Sequence, residues 1–251
     1  MEPQDSQEDR FEWVLLDDVD STNRYLRDAL NEGKLSHAAV SAERQSAGRG
    51  RMDRSWQSPP GNLYLSLSFP VPEALADKAM FFNVALAVSV AELLRGEFDL
   101  DVRLKWPNDL VYEGSKLGGL LSELVRPRTL PLHLIAGLGL NVNTAVSIPD
   151  ALLLPVSLFQ ALGRRVEIKP LREALARGIF RSWVELVRSG SAGFIARWRT
   201  LADMMGREVE VRTAETILTG RALGIGEDFE LLLDTGSEIL AIHEGDCRRL
   251  R

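Results

Sequence analysis

The stretch that most constrains this chain is residues 45–56, Gln-Ser-Ala-Gly-Arg-Gly-Arg-Met-Asp-Arg-Ser-Trp. Gly48, Gly50 and the density of charge exclude a helix or strand interior, yet the runs on either side are apolar and strand-like. The fold must therefore hold this stretch out as a loop between two sheet strands. Arg44, Arg49, Arg51 and Arg54 meet only Asp53 as a local counter-charge, in a chain whose formal net charge is -6. A basic loop on an acidic body points to a specific anionic ligand. Guanidinium forks match phosphate or carboxylate oxygens, and the Trp56 indole offers a face for a base. The loop is neither a Walker phosphate loop, because no Gly-Lys-Ser/Thr follows, nor a dinucleotide fingerprint, which needs a third glycine opening a helix.

The remaining composition narrows the class. At 251 residues and 45% hydrophobic, the chain can bury the core of one large domain, or of a large domain and a small one. Its acidity argues against general binding to nucleic acid or to an anionic membrane. The lone Cys247 excludes an internal disulfide and has no partners for a structural zinc site, so a reducing cytoplasm is expected. Residues 1–10 are polar and acidic, unlike a signal peptide or anchor. The apolar stretch 79–94 is interrupted by Asn83, Ser89 and Glu92 and is too short to span a bilayer.

Periodicity and turn signals predict a strand over 11–19 and then a polar corner, Asp20-Ser21-Thr22-Asn23, capping a helix that Gly33 stops. Strands follow at 38–43 and 63–69, the second alternating apolar and polar like a half-buried strand. A long buried helix is expected over 73–94, ended by Gly96. The chain then predicts a strand at 102–105, a turn at Trp106-Pro107-Asn108-Asp109, and a hairpin of 110–112 with 116–125. In that hairpin Gly118-Gly119 would admit a ligand or a neighbouring backbone. A strand over 132–142 ends in Asn141-Val142-Asn143, and helices follow at 156–162, 170–187 and 192–202. Short strands at 208–212, 219–223, 230–233 and 239–242 suggest a small all-β module, so the expected domains are 1–204 and 205–251.

Taken singly, the polar strand ends have ordinary readings. Asn108 and Asp109 are common turn residues, Lys116 is an exposed hairpin lysine, and Asn141 and Asn143 satisfy local backbone. Taken together they form an ordered set: Asp20-Ser21-Thr22-Asn23; Gly48-Arg49-Gly50-Arg51 with Trp56; Lys105-Trp106-Pro107-Asn108-Asp109; Lys116-Leu117-Gly118-Gly119-Leu120-Leu121; and Gly137-Leu138-Gly139-Leu140-Asn141-Val142-Asn143. In order and spacing this set resembles the biotin protein ligases, or biotin-[acetyl-CoA-carboxylase] ligases, from about Val14 to the end of the chain.

The resemblance implies an α+β fold: a mixed, mostly antiparallel sheet flanked by helices, of the class II synthetase-like kind. The helices are expected on one face and the ligand over the sheet, with a small C-terminal β-barrel. It implies an ATP-dependent ligase that makes biotinyl-5′-AMP and transfers biotin to one lysine of a biotin carboxyl carrier protein or domain. Mg²⁺ would be carried by the ATP phosphates, with no side-chain metal ligand. By position, Ser21, Thr22, Asn23, Gln45, Gly48, Arg49 and Gly118 fall at the biotin site, Gly48 and Gly118 as lining residues. Arg51, Arg54, Trp56, Asn108, Lys116 and Asn141 fall at the ATP or adenylate site, with Trp56 against adenine. Lys116, Arg51 and Asp109 carry the chemistry, Lys116 lying between the biotin carboxylate and the α-phosphate, with Asn108 and Asp109 orienting it.

The sequence departs from the family pattern at Asp53, where relatives usually have glycine, and at Gly118, where many have alanine. Only about ten polar residues precede the first strand, too few for the winged helix-turn-helix of bifunctional relatives, so an enzyme that binds neither DNA nor membrane is expected. A homodimer is one assembly the resemblance allows. The alternatives are a lipoate-protein ligase, whose pocket must take a dithiolane and which lacks the Gly-Arg-Gly-Arg loop, and a nucleic-acid binder using the Arg/Trp loop and the β-module.

Overall fold

The computed structural model describes residues 11–52, 54–144 and 153–250. The leader at 1–10 and Asp53, both singled out above, lie outside the described residues. The main sheet has seven strands: β1 (Glu12–Val19), β2 (Ala38–Gln45), β3 (Leu63–Pro70), β4 (Arg103–Lys105), β5 (Asp109–Tyr112), β6 (Ser115–Val125) and β7 (His133–Leu140), in the order β1-β2-β3-β7-β6-β5-β4. The helices are α1 (Thr22–Asn31), α2 (Ala79–Phe98), α3 (Leu158–Leu162), α4 (Ile168–Ser189) and α5 (Ala192–Leu201). Every pairing is antiparallel except β1 with β2. A parallel pair needs a crossover connection, and α1 supplies it. Its N-cap, Ser21, sits in extended backbone with its hydroxyl facing the Arg24 N–H, and Gly33 leaves the helix in the left-handed region at φ +68.

Strand β3 shows how the layers are built. Leu63, Leu65, Leu67 and Phe69 face the main core with α2, α4 and α5, while Ser66 and Ser68 face the other way. Both serines are fully buried, so the strand is covered on both sides rather than half-exposed. The expectation of helices on one face is therefore corrected. α1 packs on the opposite face, where Leu26, Leu30, Leu35, Ala38, Val40, Val125 and Ile135 form a second, smaller core. The helix predicted over 73–94 divides into a 3₁₀ turn, Glu73–Lys78, and α2. Gly96 does not end it; the chain turns only at Asp99, which takes φ 54.

Five more strands follow: β8 (Glu208–Arg212), β9 (Ile217–Ile225), β10 (Leu231–Asp234), β11 (Ile239–Ile242) and β12 (Asp246–Arg249). They form an antiparallel sheet in the order β11-β10-β9-β8-β12. The sequence reading missed β12, which has no apolar alternation of its own and is specified by its pairing with β8. The inner face of this sheet, with Val209, Val211, Ala222, Leu231, Leu233 and Cys247, joins the main core. Fully buried Trp106 donates its Nε1–H to the Phe229 carbonyl at 3.0 Å, and Arg199 Nε donates to the Ile225 carbonyl at 2.8 Å. The end of β4 and α5 are thereby both held against the C-terminal sheet. Among the described residues no helix is long and apolar enough to cross a membrane.

Candidate functional site

On the face shared with α1, a cleft of about 550 Å³ runs from the N-terminus of α1, under the loop that follows β2, to the edge of the C-terminal sheet. Its floor is made possible by small residues on central strands. A Cβ on Gly139 would meet the Trp56 indole at 2.6 Å, and one on Gly137 would collide with Asn23 Oδ1.

At the α1 end the lining is neutral and already hydrogen-bonded. Gln45 Oε1 accepts from the Thr22 N–H at 2.9 Å and the Thr22 hydroxyl at 3.1 Å, while Gln45 Nε2 donates to Ser58 Oγ at 2.9 Å. Ser66 Oγ lies 2.6 Å from Asn23 Oδ1, and Asn23 Nδ2 donates to the Leu121 carbonyl at 3.2 Å and to Glu123 Oε1 at 3.0 Å. Ser21, Thr22 and Asn23 are all buried. Fixed hydroxyl and amide groups of this kind suit a neutral polar ring better than an ion.

In the middle of the cleft stands Asp109, between two lysines. Its Oδ1 is 2.6 Å from Lys116 Nζ and its Oδ2 is 3.2 Å from Lys105 Nζ. Burial pushes this carboxyl up, but the charges of Lys105 and Lys116, with their hydrogen bonds, outweigh burial and hold it below the usual carboxylate range. A depressed folded value means that Asp109 stabilises the fold fully above the unfolded value of about 3.9, and that this contribution is lost as pH falls through the folded value. The stability gap between wild type and Asp109→Asn is therefore expected to be wide at neutral pH and to close below about pH 4. Urea unfolding across that range measures it, and a gap independent of pH would contradict the assignment.

The loop closes over the cleft through its own backbone. Trp56 N–H donates to the Gly48 carbonyl at 2.8 Å, and Gly50 N–H to the Arg54 carbonyl at 2.6 Å. The arginines divide between the two ends. Arg49 reaches Glu123 at 3.4 Å. Arg54 pairs with Asp246 at 2.6 Å, and Arg51 donates to the Gly245 carbonyl at 3.4 Å with Glu244 at 3.9 Å. Exposed pairs such as Arg54 with Asp246 contribute at most about 1 kcal/mol, so an anionic ligand can displace them. Lys116 Nζ stands 5.3 Å from the Trp56 ring centroid, and among the described residues the buried Trp56 Nε1 has no hydrogen-bond partner.

Most residues anticipated from the sequence line this one cleft: Ser21, Thr22, Asn23, Gln45, Arg49, Arg51, Arg54, Trp56, Asn108, Asp109, Lys116 and Asn141. Two corrections concern glycines. Gly48 does not line it; a Cβ there would strike the Trp56 carbonyl and Ser58, so its smallness serves loop closure. Gly118 does not line it either, because a Cβ there would point at Leu110 and Leu140 in the core, and Gly119 faces the cleft instead. Asn108 is placed there, but its amide N–H₂ donates to the Leu120 carbonyl at 2.6 Å. Asn141 donates to the Lys116 carbonyl at 3.3 Å and the Val156 carbonyl at 3.2 Å, so both asparagines fix backbone around Lys116. Lys105, Gly137, Gly139, Arg212 and Asp246 also line the cleft and were not anticipated as site residues. Glycines at alternate positions of a strand were the available signal for Gly137 and Gly139. Burial pushes the Cys247 thiol up to about 12, which leaves it inert at neutral pH. Among the described residues no three His, Cys, Asp or Glu side chains gather as metal ligands.

The profile of the biotin/lipoate A/B protein ligase family matches residues 15–141. The chain is 32% identical to the biotin--[acetyl-CoA-carboxylase] ligase of Paracoccus denitrificans over 90% of this chain and 92% of that protein. It is 33% identical to the bifunctional ligase/repressor BirA of Escherichia coli over 88% of this chain and 68% of that protein. The solved structure of the biotin protein ligase from Aquifex aeolicus, in complex with biotin and ATP, superposes with a TM-score of 0.83 at 27% identity, covering 96% of this chain and 99% of that one.

Proposed function

The chain belongs to the biotin/lipoate A/B protein ligase family, and we propose that its biotin-ligase activity runs through two half-reactions in this single cleft. In the first, the biotin carboxylate attacks the α-phosphate of ATP, forming biotinyl-5′-AMP and releasing pyrophosphate. In the second, the ε-amine of a lysine on a biotin carboxyl carrier domain attacks the carbonyl of that mixed anhydride, forming the amide and releasing AMP. The observation that carries this reading is the arrangement of charge: a neutral hydrogen-bonding end at Thr22, Asn23 and Gln45, an arginine end at Arg51 and Arg54, and Lys116 between them.

The neutral end takes the ureido ring, whose N–H and C=O groups match side chains of both polarities. Lys116 faces the junction where carboxylate and phosphate oxygens crowd, and lowers the cost of bringing one anion onto another. Arg51 and Arg54 exchange their carboxylate and carbonyl partners on the C-terminal sheet for phosphate oxygens, and Trp56 offers a ring face to adenine. Mg²⁺ would arrive with the nucleotide phosphates, where it would supply further positive charge; among the described residues Asp109 and Asp246 are both engaged by cations.

The test is direct. Protein mixed with ATP, Mg²⁺, a purified carrier domain and either biotin or lipoate should release pyrophosphate and label the carrier with biotin only. Turnover with lipoate alone would overturn the reading. Arg51→Gly should make the intermediate leak: losing a charge-assisted hydrogen bond worth about 1.5–3 kcal/mol corresponds to escape roughly 10–100-fold faster. The measurement is biotin appearing on lysines of a bystander protein, and unchanged retention would remove Arg51 from the lid.

A further inference from the structure

We propose that Lys105 is a positioning residue for this reaction: by keeping Asp109 paired, it frees the Lys116 ammonium to move onto substrate oxygens. The inference rests on the reading of the site given above. Lys105 ends β4 and Asp109 begins β5, and the two stand opposite each other in register across a turn whose Trp106 is fully buried. Their backbone separation is therefore fixed.

The two lysines around Asp109 are not equivalent. The Lys105 side chain is 9% exposed and the Lys116 side chain 30% exposed, so of these two cleft-lining lysines Lys105 is the more enclosed and Lys116 the more open to substrate. With Lys116 alone, Asp109 and the lysine would form a neutral pair. Moving that lysine onto a phosphate would then strand a buried carboxylate, among the costlier changes a site can undergo. With Lys105 in place the cluster holds two ammonium groups and one carboxylate, an excess of one positive charge, so Asp109 remains paired when Lys116 departs. Lys105 on one oxygen also restricts rotation of the carboxyl group, so the other oxygen stays aimed at Lys116.

Among the described residues the charged and titratable groups facing this pair are few. Asp109 faces Lys105 from β4, Lys116 from β6 and, at longer range, Arg51 from the loop. Lys105 faces Asp109 and, from β12, the neutral Cys247 thiol. None of these replaces Lys105 if it is removed: Lys116 is the group that must leave, and Arg51 is the group drawn onto phosphate oxygens in the same reading.

The experiment compares wild type with Lys105→Met, Lys105→Gln, Lys105→Arg and the double variant Lys105→Met/Asp109→Asn. Biotin-dependent pyrophosphate release is followed across pH, with thermal melting as the check on folding. Outer partners that orient a working group typically cost 10–100-fold when removed, as measured at metal sites. Lys105→Met should accordingly lower kcat roughly 10–100-fold with the KM for biotin unchanged. Its acid limb should move to higher pH, because Asp109 has lost one of the two cations that keep it ionised. Lys105→Arg should restore most of the rate. The added Asp109→Asn change should cost little more than Lys105→Met alone, since the two act as one unit. If Lys105→Met melts early, Lys105→Gln, which keeps a donor for Asp109 without the charge, should still move the acid limb. A wild-type rate and acid limb in Lys105→Met, or equal losses in the Met, Gln and Arg variants with an unmoved acid limb, overturns the proposal. A wild-type protein that releases no pyrophosphate with biotin overturns the functional reading and this inference together.

Discussion

Replacing Lys116 with alanine is expected to slow biotin-dependent pyrophosphate release by roughly 10³-fold while the protein stays folded. The rate term follows from the chemistry: carboxylate and phosphate are both anions, and their approach is opposed unless positive charge lies between them. One ammonium about 4 Å from the developing charge contributes about 4 kcal/mol at an effective dielectric near 20, which is close to three powers of ten. The folding term follows from the structure. Lys116 is partly exposed, and its loss leaves Asp109 still bound to Lys105, so no buried carboxylate is stranded. Lys116→Arg should not rescue the activity, because a planar fork cannot occupy the site of a compact ammonium facing the Trp56 ring. Pyrophosphate release measures the first of the two proposed half-reactions. Carrier labelling from synthetic biotinyl-AMP measures the second and should fall less. A Lys116→Ala rate within about tenfold of wild type would place the decisive charge elsewhere.

Much of this site was legible because polar corners interrupt apolar strands and helices. The turns at Ser21-Thr22-Asn23 and at Asn108-Asp109, together with Asn141, all fall on strand or helix ends, and the sheet order brings those ends to one cleft. What escaped was set by partners distant in sequence. Ser66 and Ser68 alternate with leucines as solvent-facing residues would, yet they are buried under α1; a polar face gives the same pattern whether it meets water or other polar groups. Gly118 and Gly119 were both visible, but a register shift between Leu110 and Val111 decides which of them faces the cleft, and a slip of one residue reverses the faces of a strand. Asp246 sits on a strand with little propensity of its own and gains meaning only beside Arg54. Lys105 reads as an ordinary lysine until the hairpin pairs it with Asp109.

Gly137→Val is expected to raise the KM for biotin roughly 100-fold with little change in the KM for ATP. β7 lies between β3 and β6, with Gly137 opposite Ser66 on one side and Leu121 on the other, so its backbone cannot retreat from an added side chain. A Cβ at 137 collides with Asn23 Oδ1 and stands 2.9 Å from the Leu121 carbonyl oxygen, so Asn23 must yield. In yielding it loses the hydrogen bonds with Ser66, Leu121 and Glu123 that aim it into the cleft. Two or three hydrogen bonds at about 1 kcal/mol each, with partial crowding of the proposed ureido site, give that hundredfold. The proposed nucleotide end is untouched, since Arg51 and Arg54 stand beside the C-terminal sheet and not beside Asn23, and valine suits a strand, so the fold itself is not opposed by propensity. Gly137→Ala should show the same asymmetry at smaller size. Steady-state kinetics with each substrate varied in turn, beside calorimetric titration of biotin alone, distinguish the outcomes. Equal increases in both KM values would mean that the strand has shifted as a whole. An unchanged biotin KM would mean that Asn23 does not hold the ring.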